Sequence, residues 1–377
     1  MDAITRRSML IAMGSSLATA GMSKTTPGKP DIRLIPYVDG LCLLGDDKER
    51  KDIPLCGLHA VTFDVSTGEM VKLADGTQAF RRTYTACQNS IQEAIGYITK
   101  ELPGGRVALR GEDIPIRTGS GGLACVLQMQ GCDWVEQDLS RLAKMHSLGL
   151  RIAQFTHHYG NSLAGGCMDL PPTGLTPFGR DCLREMERIG LIPDLAHASD
   201  QTGLDVIKNC KRPVIVSHGA CKSIVRNARC TSDEVIRGVA KSGGVMGVFM
   251  MSFWLTNDPR PTTEHLIAQI RRIIQLGGIE CVGISNDYPV GGETTLREVG
   301  NDNAKGIGNY LPWWKSMRKR GVEGFDVTPQ HVVIPELNNP KRLSLIHDSL
   351  ERAKFRPSEI EKIMGANWIR VFRECLG

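Results

Sequence analysis

The sequence predicts an α/β protein folded as a single (β/α)8 barrel. Eight apolar runs of strand length recur along the 377 residues. Most are continuous rather than alternating, as in parallel strands buried on both faces. Helical patterns separate most of them. Histidines and an aspartate stand where several runs stop, which is where a barrel strand meets the functional mouth. A doubly wound open sheet is the alternative, but no G-x-G-x-x-G follows a strand to favour a dinucleotide-binding version.

In chain order, Thr5-Arg6-Arg7-Ser8-Met9-Leu10 opens an apolar stretch ending in Ala18-Thr19-Ala20, a small-x-small cleavage pattern. Residues 1–20 are expected to be a twin-arginine export signal, placing the protein in the periplasm or outside the cell. An ordinary N-terminal helix with two chance arginines is the plainer reading. The stretch is too short and too rich in Gly and Ser to span a membrane, so no stable span is expected after cleavage. Residues 21–32, with Ser, Thr, Pro, Gly and Lys, read as a linker, and 33–377 as the barrel.

Strands are expected at 37–43, 58–64, 123–129, 152–156, 192–195, 214–217, 245–249 and 281–285. Helices are expected at 85–101, 134–147, 176–189, 200–209, 232–241 and 262–276. Pro177 sits near a helix start and Gly190 just past its end. Ser232 is a plausible N-cap, with acidic residues in the first turn. A long connection, 288–344, follows the eighth strand and should lie at the mouth. Residues 357–372 form a last helical segment.

Composition narrows the class. Charged residues are 23% and hydrophobic residues 41%, ordinary for a soluble globular chain. The formal charge of +5 is small, and no basic block with interleaved aromatics suggests nucleic acid. None of the twelve cysteines forms a C-x-x-C pair, so a zinc ribbon or thioredoxin-type site is not indicated. Cys125 and Cys281 read as small core residues, and an exported chain could form disulfides among the others. Cys132 is more plausibly structural than a nucleophile. No G-x-S-x-G elbow or P-loop occurs.

The residues at the ends of the expected strands are Leu41 and Leu43, Gln130, His157, His197, His218 and Asp287. Several histidines and an aspartate at successive strand ends point to a site rather than to scattered structural residues. His157-His158 is a tempting metal pair, but adjacent strand residues point to opposite faces, so at most one should face the mouth. Asn161, Gly165-Gly166 and Cys167 could line a pocket or form an ordinary loop. Trp313-Trp314-Lys315 could be a lid, a partner surface or a buried anchor.

Several of these segments resemble one family: Thr156-His157, Gly174-Leu-Thr-Pro-Phe-Gly179, Asp194-Leu-Ala-His197-Ala-Ser, Pro213-Val-Ile-Val-Ser-His218, Gly243-Gly-Val-Met-Gly-Val248, Val282-Gly-Ile-Ser-Asn-Asp287 and Ile363-Met-Gly-Ala-Asn367-Trp-Ile-Arg370. Together they resemble the membrane (renal) dipeptidase family, over roughly 35–375 and most specifically over 150–290. The resemblance implies a zinc-dependent barrel hydrolase of the amidohydrolase type acting on dipeptides, often a homodimer. It implies two zinc ions, one on a His-x-Asp of the first strand, one on histidines of strands five and six, with a bridging Glu from the third. Carried over, His197 and His218 are metal ligands and His157 touches the substrate or tetrahedral intermediate. Arg229, in Asn227-Ala-Arg-Cys, pairs with the substrate carboxylate, and Asp287 acts on the substrate amine or moves protons.

Three positions depart from that pattern. Asp39-Gly40 is present, but Leu41 and Leu43 stand where the first-strand His and Asp should be, and Gln130 replaces the bridging Glu. His59, Asp64 and Asp46-Asp47 lie nearby should the first strand align differently. Two divalent ions about 3.5 Å apart repel by roughly 19 kcal/mol even at an effective dielectric of 20, and carboxylates normally offset this. A neutral Gln130 and two leucines do not. One zinc is therefore expected rather than two, on His197 and His218 with Gln130 as a weak third ligand or Asp287 as a stronger one. The expected function is an exported hydrolase of dipeptides or a peptide-like substrate. The alternatives are a non-hydrolytic enzyme on a peptide-derived metabolite, or an inactive binding protein of the same fold.

Overall fold

The computed structural model describes residues 35–72, 78–116 and 122–377. The expected signal at 1–20 and linker at 21–32 lie outside the described residues. All eight expected strands form: β1 (Val38–Leu43), β2 (Ala60–Asp64), β3 (Ala124–Met129), β4 (Leu150–Gln154), β5 (Ile192–Asp194), β6 (Val216–Gly219), β7 (Met246–Val248) and β8 (Val282–Ile284). Strands β1 to β5 pair in order, every pair parallel, and β6, β7 and β8 form a second parallel arc.

Single parallel bridges join the two arcs. Asp194 of β5 bridges Ile215 before β6, and Leu43 of β1 bridges Pro289 after β8. The Leu41 carbonyl also accepts from the amides of Asn286 and Asp287. The ring is thus closed, and it closes with fewer ladder bonds than it uses along each arc.

The apolar residues in and beside the strands fall into two cores. Val61, Phe63, Cys125 and Leu127 point out and pack under the helices. Val38, Ala60, Ala124, Val126, Ile152, Ile192, Ile215 and Val245 form an inner cluster with Trp368. Buried on both faces, these strands need no polar alternation, which is why the runs read as continuous.

The helices α1 (Tyr84–Lys100), α2 (Ser140–Leu148), α3 (Pro177–Ile189), α4 (Asp200–Asn209), α5 (Asp233–Lys241) and α6 (Thr263–Gly277) follow β2 to β7 in turn. Side chains of Thr83, Thr176, Ser199 and Ser232 cap α1, α3, α4 and α5. The connection after β8 is more structured than expected. It contains α7 (Leu311–Lys319) and several shorter turns, and leads into α8 (Arg342–Arg352). The expected C-terminal helix is present in pieces: a turn at Pro357–Glu361, a π-helical turn at Lys362–Ala366, then α9 (Asn367–Cys375).

Two features fix the floor and seam of the barrel. The Trp368 indole is fully buried and donates from Nε1 to the Ile284 carbonyl at 3.1 Å. A Cβ on Gly40 or Gly283 would stand 2.3 Å from that ring, and one on Gly247 at 3.0 Å. These three glycines on β1, β7 and β8 make the room the indole fills. On the outer face of the seam, Arg342 of α8 binds buried Asp39 of β1 at 2.8 Å and the Val290 carbonyl at 3.1 Å.

Candidate active site

Above the inner apolar layer lies a polar one. The Gln128 amide donates to Asp194 Oδ2 at 2.7 Å and to Ser217 Oγ at 3.1 Å. Ser217 Oγ lies 2.5 Å from Asp194 Oδ2 and 2.7 Å from His218 Nδ1. Asp194 Oδ1 also accepts the amides of Ala196 and Ser217.

On this layer stand the histidines. His197 Nε2 is 2.8 Å from His218 Nε2, and His197 Nδ1 is 3.0 Å from His158 Nδ1. The ring centroids of His157 and His158 each lie 4.5 Å from that of His197. His218 Nε2 faces Asp287 Oδ1 at 3.6 Å. Arg229 Nη2 reaches His197 Nε2 at 3.0 Å, and its guanidinium lies over Phe249 and Trp254. The structure therefore gathers His157, His197, His218, Arg229 and Asp287 at one mouth.

The backbone is bent to do this. His158, His197 and Asp287 have φ of +62°, +60° and +64°. Left-handed backbone costs a non-glycine residue about 1–3 kcal/mol and persists where the surroundings over-determine it. The bend at His158 overturns the expectation that only one of His157 and His158 faces the mouth. Strand β4 ends at Gln154, so period-two alternation no longer governs them, and both rings meet His197.

The missing half of the resemblance is also placed. Leu41 is fully buried on β1 beside the Asn286 and Asp287 amides. Leu43 sits in register with Asp64 of β2. Neither side chain carries a ligand atom. Gln130 Nε2 donates to Asp64 Oδ2 at 2.8 Å, while its Oε1 is buried without a partner among the described residues. The Asp64 role could not be assigned from sequence. It ends an otherwise apolar run, and only the register across β1, β2 and β3 brings it to Gln130.

Burial dominates the electrostatics. It pushes His157 down to about 3, helped by Arg82 and Arg229. It holds His158, His197 and His218 well below the usual imidazole range, again with Arg229 adding. Neutral rings keep their lone pairs. Burial raises Asp287 to about 7, against the pull of Arg229, with Asp64, Asp39 and Asp194 adding to the rise. Burial likewise raises Asp194.

Proton counting follows from the donors. Arg229 can only donate, so His197 Nε2 is unprotonated and His197 carries its proton on Nδ1, toward His158. His218 then donates from Nε2, and its Nδ1 accepts from Ser217. The short Ser217–Asp194 contact needs a proton of its own, matching the raised Asp194.

Trp313 of α7 closes one side, its ring 5.6 Å from His158 and 6.3 Å from Trp254. Trp314 is buried against Phe253 and Phe325, so the pair anchors α7 over the mouth. All twelve cysteines are free thiols. Cys132 is fully buried and pushed well above the usual thiol range by desolvation, as suits a core residue.

A dipeptidase of Claviceps purpurea, tcpJ, is 28% identical over 274 residues, covering 71% of this chain and 55% of its own. An uncharacterised dipeptidase of Schizosaccharomyces pombe is 32% identical over 178 residues, covering 45% of this chain and 42% of its own. The chain thus spans about half the length of these curated relatives. Among solved structures, an amidohydrolase from Pseudomonas aeruginosa superposes with a TM-score of 0.73 at 23% identity, covering 91% of this chain and 97% of that one. A metallopeptidase from Rhodobacter sphaeroides, solved with a phosphinate mimic of the dipeptide L-Ala-D-Ala, superposes at 0.67 with 16% identity, covering 91% and 99%. The family model for membrane dipeptidases matches residues 85–304, more than half of the chain, and the chain belongs to that family, peptidase family M19.

Proposed function

We propose that this protein hydrolyses dipeptides or a closely peptide-like substrate at the His157–His197–His218 mouth, with one divalent ion rather than two. The observation that carries this is the convergence of three strand-end histidines with Asp287 and Arg229, in a member of the dipeptidase family. The donor set fits one ion and not a pair. His197 and His218 offer neutral nitrogens, and the unpartnered Gln130 Oε1 offers a weak oxygen, whereas Leu41 and Leu43 offer nothing. Zinc is the ion this imidazole set suits. When bound it supplies a Lewis acid that polarises the scissile carbonyl or lowers the pKa of water.

The chain's own residues do the rest. Arg229 turns from His197 to the substrate carboxylate, giving it charge-assisted hydrogen bonds in a dry setting. His157 is placed to donate to the oxygen that becomes negative. Asp287, raised to about 7, is matched to accept and return a proton near neutral pH. Trp313 and Trp254 exclude water. The export reading belongs with this function: the mature protein begins after Ala20, outside the cytoplasm.

Metal analysis of purified mature protein, paired with an L-Ala-D-Ala hydrolysis assay, tests the reading. About one zinc per chain with measurable turnover is expected. About two zincs would sink the single-ion reading. No turnover with any divalent metal would favour non-hydrolytic chemistry or binding alone.

A further inference from the structure

The end of the barrel opposite the mouth carries a cavity of about 520 Å3. It lies where β4 and β5 begin and where α2, α3 and α9 end. Arg110, Arg151, Arg188 and Arg212 line it together with His146, and no aspartate or glutamate side chain does.

Two of these arginines are fixed before any ligand arrives. Arg151, on β4, is only 8% exposed. Its Nε donates to the Leu109 carbonyl and its Nη1 to those of His146 and Leu150, all at 2.8 Å. Its Nη2 has no partner among the described residues. Arg212 holds the Glu187 carbonyl at 3.3 Å and the Cys375 carbonyl. Guanidiniums held in this way lose little freedom when an anion docks.

The carbonyls hold these cations without neutralising them. Among the described residues, Arg188 alone of the four makes an ion pair, with Glu185 at 2.6 Å. Asp113, whose charge reaches Arg151, is turned to the Leu109 and Arg110 amides at 2.8 Å. Burial lowers Arg151 from its ordinary value all the same. The helix ends at this face carry about half a negative charge each, too little to balance the arginines. A buried cation is normally paired, so the missing anion is what needs explaining.

We infer that this cavity binds a phosphomonoester. Guanidinium forks suit carboxylate and phosphate alike. Several converging forks favour the phosphate, which brings three acceptor oxygens and close to two negative charges. Leu109 and Ile189 on the wall offer apolar surface to the organic part. The site shares no residue with the mouth and does not depend on the hydrolase reading.

Calorimetric titration of the full-length protein with phenyl phosphate and with benzoate, at constant ionic strength, tests it. Phenyl phosphate should bind at one site with a Kd below about 1 mM, and benzoate at least about tenfold more weakly. Arg151→Gln and Arg212→Gln should each weaken phenyl phosphate by more than about tenfold, and the exposed Arg110→Gln by about threefold. Arg229→Gln should keep it within about threefold, because a charge at the far end of the barrel is screened. Thermal melts check that each variant is folded, and if Arg151→Gln is not, Arg212→Gln and Arg110→Gln carry the test. An Arg151→Gln protein that melts lower yet binds phenyl phosphate like wild type shows an arginine serving its carbonyls alone, and overturns the inference. So does an absence of saturable binding, an equal affinity for benzoate, or binding lost in Arg229→Gln and kept in Arg212→Gln. Flotation with vesicles of phosphatidic acid in phosphatidylcholine separates the two sources of such a group. Flotation that Arg212→Gln removes assigns it to a lipid headgroup, titration without flotation assigns it to a soluble molecule, and either upholds the phosphomonoester.

Discussion

Arg229 is the most constrained residue at the mouth. It is buried, laid over two aromatic rings, and its Nε has no partner among the described residues. A buried cation with an idle donor is poised for an anion. Hydrogen bonds to charged groups are worth about 1.5–3 kcal/mol, so Arg229→Lys, which loses the planar fork, should raise KM by roughly 10- to 100-fold with a smaller change in kcat. Amidating the substrate's C-terminal carboxylate should abolish most of that difference, because the lost interaction is then absent from both proteins. An unchanged KM ratio on the amide would assign Arg229 to holding His197 instead. At this scale the sequence was readable where chemistry sits at a strand's end: His197, His218 and Asp287 can be named from the apolar runs alone. Arg229 came from the resemblance, since nothing in its local pattern marks it. His158 was not readable, because its direction depends on a positive φ that no side-chain pattern encodes.

Among the elements, the strands were the most legible, since eight continuous apolar runs have few other uses. The antiparallel hairpin of Glu69–Lys72 with Gln78–Arg81 was missed, as its strands are short and flank polar residues. Helix α2 begins at Ser140 rather than near 134, because a 3-10 turn at Asp133–Val135 ends in Glu136 at φ +52°. This helix also carries a pH-sensitive residue. Burial, then the charge of Arg151, holds His146 down to about 4. Above the usual value of 6.5 it is neutral folded or unfolded and contributes no slope. As pH falls from 6.5 toward 4, the unfolded chain takes a proton that the folded one refuses, so stability falls. His146→Gln should therefore lose less stability between pH 7 and pH 5 than wild type, by on the order of 1 kcal/mol after allowing for partial exposure. Urea titrations at the two pH values measure it, and parallel losses in both proteins would refute the assignment.

For the whole molecule, the barrel was legible as a strand count but its closure was not. The seam between β8 and β1 rests on the Leu43–Pro289 bridge and on Asp39–Arg342, contacts between residues 246 and 303 positions apart that no local pattern reveals. The same holds for Trp368, which reads as one apolar residue in a final helix and is in fact the floor of the barrel. Gly283→Ala should cost about 1–3 kcal/mol, because a Cβ there meets the indole at 2.3 Å. In the double variant with Trp368→Ala the two costs should be less than additive, since removing the ring removes the clash. Strict additivity in denaturant melts would mean the ring is not where the strain falls. The indole also sets an order of events. It joins residue 40 to residue 368, so the floor cannot seal until nearly the whole chain has been synthesised. Until then the inner faces of β1, β7 and β8 stand open to any passing apolar surface, which makes the half-made barrel a client for holding chaperones and folding a late, slow step.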